Sequence, residues 1–179
     1  MKKKAIQVVA SYIFWTLTMI LIAFVFVFCF GIKTSVVGVS MEPTLYNSEE
    51  ILINRFTYFL TNPNHNDVVV FLPNGNENSH YYVKRVIGVP GDTVLIKDGI
   101  IYVNDAIYED SLIYDKIENG GIASIGVSLG EDEYFVIGDN RNNSEDSRSS
   151  NIGVVKKDYI IGQAWFHFSY NDEPAGFIK

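Results

Sequence analysis

The chain has 179 residues, 47% of them hydrophobic and 14% aromatic, and a formal net charge of −7. That composition excludes a disordered polymer, and the acidic balance, with no basic run beyond Lys2, Lys3 and Lys4, excludes nucleic acid as a partner. The single cysteine, Cys29, allows no internal disulfide, and three scattered histidines (His65, His80 and His167) have no metal-ligand spacing, so no metal or other cofactor is expected.

No charged residue occurs between Lys4 and Lys33, and residues 5–32 are dominated by Ile, Val, Leu, Phe and Ala. A bilayer core needs about 20 apolar residues as helix, so this stretch predicts a membrane span, with Tyr12 and Trp15 suited to the headgroup level. A cleaved secretory signal has a shorter apolar region, roughly 7–15 residues, and then an A-x-A-like site. Gly31-Ile32-Lys33-Thr34-Ser35 offers no such site, which favours a retained anchor. Three lysines before the span against the lone Lys33 after it place the N-terminus in the cytoplasm and the remainder outside. The expected division is residues 1–33 as basic N-terminus and anchor, and 34–179 as an extracytoplasmic domain.

Beyond the anchor the pattern changes to short β-type runs: 35–39, 51–55, 67–72, 81–87, 93–97, 100–103, 134–137 and 160–168. Gly, Pro, Asn and Asp punctuate them, as in Pro73-Asn74-Gly75 and Pro90-Gly91-Asp92. Asp98-Gly99 between two apolar runs is a hairpin signal. The reading is one mainly-β domain with a β-rich insertion at about 93–133, of which 108–130 is a looser stretch rich in Gly, Ser and acids.

Three segments could carry chemistry. The first is Gly38-Val39-Ser40-Met41-Glu42-Pro43-Thr44-Leu45, a serine entering a proline-bearing turn. Most serines so placed only close the turn. The second runs from Tyr81 to Asp92 and sets Lys84 and Arg85 inside an otherwise apolar strand. A strand cation is usually solvated at an edge, but between apolar neighbours it loses water. Free lysine is neutral in only about one molecule in 2,500 at pH 7, and lowering its pKa to 7 corresponds to roughly 4.6 kcal/mol. Guanidinium does not deprotonate in proteins, so Lys84 is the candidate base and Arg85 a candidate for a structural ion pair.

The third segment, from Gly138 to Arg148, packs acids, amides, serines and two arginines into one loop, which taken alone reads as structural. A calcium loop competes with that reading, but Arg141 falls where an oxygen ligand is wanted. None of the three histidines has the context of a serine-protease triad.

Together these segments and the anchor resemble the bacterial type I signal peptidases. That family carries an S-M-x-P-T-L motif, here Ser40 to Leu45, and a K-R-[VI]-[IV]-G-x-P-G-D motif, here Lys84 to Asp92. Its G-D-N-R-x-N-S-x-D-S-R loop matches from Gly138 to Arg148. The resemblance implies a signal-peptidase-like β catalytic domain of the LexA-like Ser/Lys protease fold behind one transmembrane helix. It implies Ser40 as nucleophile, Lys84 as general base, Ser144 orienting the lysine, and the Ser40 N–H donating to the oxyanion. Asp139, Asp146, Arg85 and Arg148 would hold the loop by ion pairs.

Some relatives have a hydroxyl two places before the nucleophile, where this chain has Gly38. The second oxyanion donor is thereby left open, at a cost of about 10²–10³ in rate if nothing replaces it. Substrates would be secretory preproteins, bound as an added strand and cut after small residues (A-x-A), with Val36, Met41, Leu45, Tyr82 and Val83 assigned to the pockets. The lipid bilayer and the translocation channel are the other expected partners, in the cell membrane. Two readings compete: a non-catalytic anchored relative that binds peptides, and a LexA-like regulator. The intact Ser40 and Lys84 count against the first, and the acidic charge and lipid-spanning N-terminus against the second.

Overall fold

The apolar run forms one helix, α1 (Lys2–Phe30), in the computed structural model, which describes residues 2–109, 115–171 and 174–178. Its apolar part, Ile6–Phe30, has 25 residues, a mean hydropathy of 2.6 and no buried window. At 1.5 Å per residue it is about 37 Å long, more than a hydrocarbon core of about 30 Å, so it is long and apolar enough to cross one with tilt.

Among the described residues twelve strands follow. They are β1 (Ile32–Ser35), β2 (Glu50–Asn54), β3 (Val68–Phe71), β4 (Tyr82–Gly88), β5 (Thr93–Lys97), β6 (Ile100–Val103), β7 (Ala106–Ile107), β8 (Val127–Ser128), β9 (Glu133–Ile137), β10 (Val155–Lys156), β11 (Ile160–His167) and β12 (Gly176–Phe177). The main sheet has the order β1-β2-β11-β3-β4-β9-β10 with β12 on β11, and the smaller sheet has the order β7-β6-β5-β8. All the pairings are antiparallel. The chain is mainly β, as its residues lead one to expect.

Alternation along the strands divides the core. Val68 and Val70 of β3 join Val36, Met41, Leu45, Ile51, Ile53 and Val83 on one face, while Val69 and Phe71 join Tyr58, Val86, Tyr134 and Val136 on the other. Strand β3 is therefore covered on both sides and reads as an unbroken apolar run. A third cluster, with Ile87, Val94, Ile96, Ile101, Phe135 and Ile137, joins the two sheets.

The Asp98-Gly99 hairpin forms between β5 and β6, both turn residues having positive φ (55° and 78°). A second tight turn, Asn104-Asp105 (φ 52° and 66°), joins β6 to β7. It has no glycine and so gave a weaker signal, although Asn and Asp tolerate this conformation. The stretch expected to be loose is packed where it is described: Ile117, Ala123 and Leu129 are buried in the third cluster and β8 pairs with β5. Its residues 110–114 lie outside the described part.

One expected strand is displaced. Of the run 35–39 only Ser35 is in a strand; β1 starts three residues earlier than expected, in register from Ile32↔Ile53 to Ser35↔Glu50. Pairing continues only through Val36, whose N–H donates to the Glu49 carbonyl at 2.8 Å, and then Gly38, with φ of +89°, breaks the extended path. A short helix, α2 (Thr57–Leu60), was also not expected; Asn54 Oδ1 accepts the Phe56 and Thr57 N–H groups at its start, at 3.0 and 3.1 Å.

The anchor meets the domain without a linker. Arg55 N–H donates to the Cys29 carbonyl at 3.0 Å, and the Phe30 ring lies 6.2 Å from Phe56 and 6.4 Å from Trp165. Beside this junction Phe59, Leu60 and Phe177 are 81%, 65% and 70% exposed.

Strand β11 bends between β2 and β3 around Gly162, where a Cβ would lie 2.5 Å from the Asn54 carbonyl oxygen and 2.8 Å from Ile53 Cγ2. Gly162→Ala is expected to destabilise the domain by about 1–3 kcal/mol through this overpacking, measured by chemical denaturation in detergent.

Candidate active site

Gly38 turns the chain out of the β1 edge, and its N–H is held by Asn47 Oδ1 at 2.9 Å. The 40–45 turn then closes through Glu42 N–H to the Val39 carbonyl (3.2 Å) and Leu45 N–H to the Met41 carbonyl (2.9 Å). Met41 and Leu45 are fully buried and act as the root of this turn. Ser40 stands at its start, with its side chain facing β4.

Alternation in β4 puts Val83, Arg85 and Ile87 on one face and Tyr82, Lys84 and Val86 on the other. Lys84 is only 4% exposed. Its Nζ lies 2.7 Å from Ser40 Oγ, 3.0 Å from the Val83 carbonyl and 5.4 Å from the centre of the Tyr82 ring. Burial strips water from the ammonium and holds its pKa down to about 8, although Asp146, Asp139 and Glu145 pull it upward; Arg148 adds to the lowering. That environment makes the amine a usable base near neutral pH.

Arg85 is 1% exposed and grips Asp139 with two bonds, Nε to Oδ1 at 2.8 Å and Nη2 to Oδ2 at 2.7 Å. Thr44 Oγ1 donates to the same carboxylate at 2.5 Å, so the pair fastens the serine turn to β4 and to the end of β9. Removing one partner of such a buried pair costs about 3–5 kcal/mol. A second pair, Arg148 with Asp146 (2.8 Å through both Nε and Nη2), shapes the loop, and Asp146 also accepts the Gly138 N–H at 3.0 Å.

Asn140 supplies a contact that sequence reasoning did not single out. Its N–H donates to the Ser40 carbonyl at 3.0 Å and its Nδ2 to the Val39 carbonyl at 3.1 Å, pinning the backbone on both sides of the serine. The signal was its place beside Asp139, but an amide in a polar loop gives no hint of which carbonyl it will hold.

Ser144 comes close without making the expected bond. Its Oγ is buried and has no hydrogen-bond partner among the described residues, while the Lys84 ammonium donates to Ser40 and Val83. Histidines stay apart from the dyad's bonding: His65 meets Asp92 Oδ2 at 2.8 Å and His167 meets Glu49 Oε1 at 2.6 Å.

A cleft of about 300 Å³ opens over the pair, with residues 36–40 on one wall, 80–84 on the other, and Asn143 and Glu145 at the side. Residues 82–84 pair with β3, whereas β9 reaches β4 only from Arg85 onward, so this end of β4 has a free edge facing the cleft. Val36, Tyr82 and Val83 line it. Met41 and Leu45 do not; they are wholly enclosed in the core beneath.

Comparison with known proteins then gives the lineage. A family model described as signal peptidase, peptidase S26, matches residues 9–169. The chain belongs to this family. Among its relatives is a signal peptidase I P of Bacillus subtilis subsp. natto, 40% identical over 139 residues, covering 73% of each chain. A second protein of that name is 36% identical over 132 residues, covering 70% of each. Signal peptidase I T of Bacillus subtilis (strain 168) is 38% identical over 141 residues, covering 73% of this chain and 70% of the relative. A solved signal peptidase I from Enterococcus faecalis V583 overlaps 57% of this chain and 97% of that chain at 28% identity, with a TM-score of 0.47.

For a signal peptidase family member, Gly138 is the tightest point of the site. A Cβ there would strike Ser144 Oγ and the Ser40 carbonyl oxygen and lie 2.7 Å from Ser144 Cβ. Gly138→Ala is expected to displace Ser40 and lower peptide cleavage by at least about 10²-fold, with the thermal midpoint falling only a few degrees. Parallel activity and unfolding measurements check this.

Proposed function

We propose that this chain is a membrane-anchored serine endopeptidase that removes signal peptides from exported preproteins, with Ser40 as nucleophile and Lys84 as general base. The observation that carries the reading is the 2.7 Å contact between Lys84 Nζ and Ser40 Oγ in a site that dehydrates the lysine. Once neutral, the amine accepts the serine proton as Oγ attacks the scissile carbonyl carbon. The Ser40 N–H faces the developing oxyanion. Lys84 then passes its proton to the departing amine nitrogen, and water, deprotonated by the same lysine, hydrolyses the ester. A purely binding relative has no use for a desolvated lysine on a serine hydroxyl, so that alternative is set aside.

The peptide lies along the free edge of β4 as an added strand, its small side chains toward Val36, Tyr82 and Val83. Val36 is buried and Val37 is 72% exposed, so the cleft has one shallow and one open side, which suits small residues such as those of an A-x-A site. Ser144, which lies beside Gly138 and the Ser40 carbonyl, would steady the ammonium when the serine bond is lost. The basic N-terminus lies in the cytoplasm, and the β domain outside the cell membrane receives preproteins as they leave the translocation channel.

The test is cleavage of a preprotein bearing an A-x-A site by protein in detergent, with product termini mapped by mass spectrometry. Wild type should cut after the second alanine, and Ser40→Ala and Lys84→Ala should each lose at least about 10⁴-fold. Activity of Ser40→Ala would sink the assignment. Because the base works unprotonated, kcat/KM should rise about tenfold per pH unit below the lysine's pKa and level off above about 8.

The exposed Phe59, Leu60 and Phe177 continue the anchor's surface and sit in the bilayer interface. In vesicles, Phe59→Glu is expected to slow processing of a membrane-inserted preprotein by roughly fivefold, about 1 kcal/mol, and to leave cleavage of a soluble peptide unchanged.

A further inference from the structure

Three acids stand in the loop that flanks Ser144, and their fates differ. Asp139 and Asp146 are 2% and 1% exposed, and each is satisfied by an arginine. Glu145 is exposed and lines the substrate cleft. Its carboxylate is held only by neutral donors at long range, Tyr82 Oη to Oε2 at 3.4 Å and Asn151 Nδ2 to Oε1 at 3.4 Å. Among the described residues no cation pairs with it. The rest of the cleft is mostly apolar (Val36, Val37, Val39, Tyr81, Val83), and its one lysine, Lys84, is buried against Ser40. His80 is the other titratable group on the walls. The field of this carboxylate reaches the buried Lys84, but no cation among the described residues pairs with it directly, and an exposed carboxylate beside an apolar cleft attracts positive charge on whatever enters.

We propose that Glu145 is a specificity-determining residue that selects substrates carrying a basic side chain next to the scissile segment. This rests on reading the cleft as the peptide site. A lysine or arginine of the bound strand can bury its aliphatic stem along the apolar wall and set its charged end against Glu145. An exposed pair of this kind is modest in strength, about two- to fivefold in affinity, and an acidic side chain at the same point is repelled. The effect falls on binding and therefore on KM more than kcat.

The experiment uses the full chain in a non-ionic detergent and a set of A-x-A peptides. Each position flanking the two alanines is varied in turn among Lys, Gln and Glu. Wild type, Glu145→Gln and Glu145→Lys are compared with the neutral parent peptide as reference. The expected result is one position at which wild type prefers Lys over Glu by at least about threefold in kcat/KM, mainly through KM, with the preference shrinking in high salt. With each kcat/KM taken relative to the neutral peptide cut by the same variant, Glu145→Gln should abolish the preference and Glu145→Lys should reverse it. A wild type indifferent to charge at every position overturns the proposal, as does a preference that survives in Glu145→Gln. If wild type does not cut even the neutral peptide, the peptidase reading itself fails, and this inference with it.

Discussion

The buried pair of Arg85 and Asp139 brings the site together. Ser40 and Lys84 are 44 residues apart and belong to elements with no direct ladder between them. Arg85 extends from the face of β4 opposite Lys84, between the apolar residues Val83 and Ile87, and reaches the carboxylate that also receives the Thr44 hydroxyl. One guanidinium thus fixes the distance between the serine turn and the lysine strand. The adjacency of Lys84 and Arg85 has a geometric meaning: successive strand residues point to opposite faces, so one serves the cleft and the next serves the frame behind it.

The same arrangement accounts for the lysine's chemistry. A frame made of apolar side chains alone would depress the lysine's pKa by dehydration with nothing opposing it. Here Asp139 and Asp146 complete their charge balance with arginines, yet their fields still reach Lys84, and Arg148 partly offsets them. The outcome, a pKa of about 8, is a compromise between a dry wall and a nearby acidic loop. The loop therefore has two duties, holding the backbone through Asn140 and setting the proton affinity of the amine.

Much of this was legible in the residues. The anchor, the β class, the 93–97 and 100–103 hairpin and a structural ion pair for Arg85 follow from periodicity, turn chemistry and the cost of burying charge, while its partner in the 138–148 loop came from the family resemblance. Other features depend on where the chain returns in space. The run 35–39 looked like a strand because it is rich in valine, but its partner runs out after Glu49 and Gly38 diverts it, leaving a cleft wall. Met41 and Leu45 lie in the turn that starts at the serine and were assigned to pockets, yet the turn rotates both into the core. Short strands such as β10 and β12 have two residues each, too few for any alternation to register.

The junction between anchor and domain has a consequence of its own. The Cys29 carbonyl accepts the Arg55 N–H and the Phe30 ring lies beside Phe56 and Trp165, so the helix end is tied to the domain at several points. These contacts tie the helix directly to the sheet that carries the cleft, so the distance from the helix end to Ser40 is set by the fold. Under the proposed function, a polypeptide threaded through the same bilayer would be measured as well as bound: the length of its own apolar segment would decide which residue stands opposite Ser40.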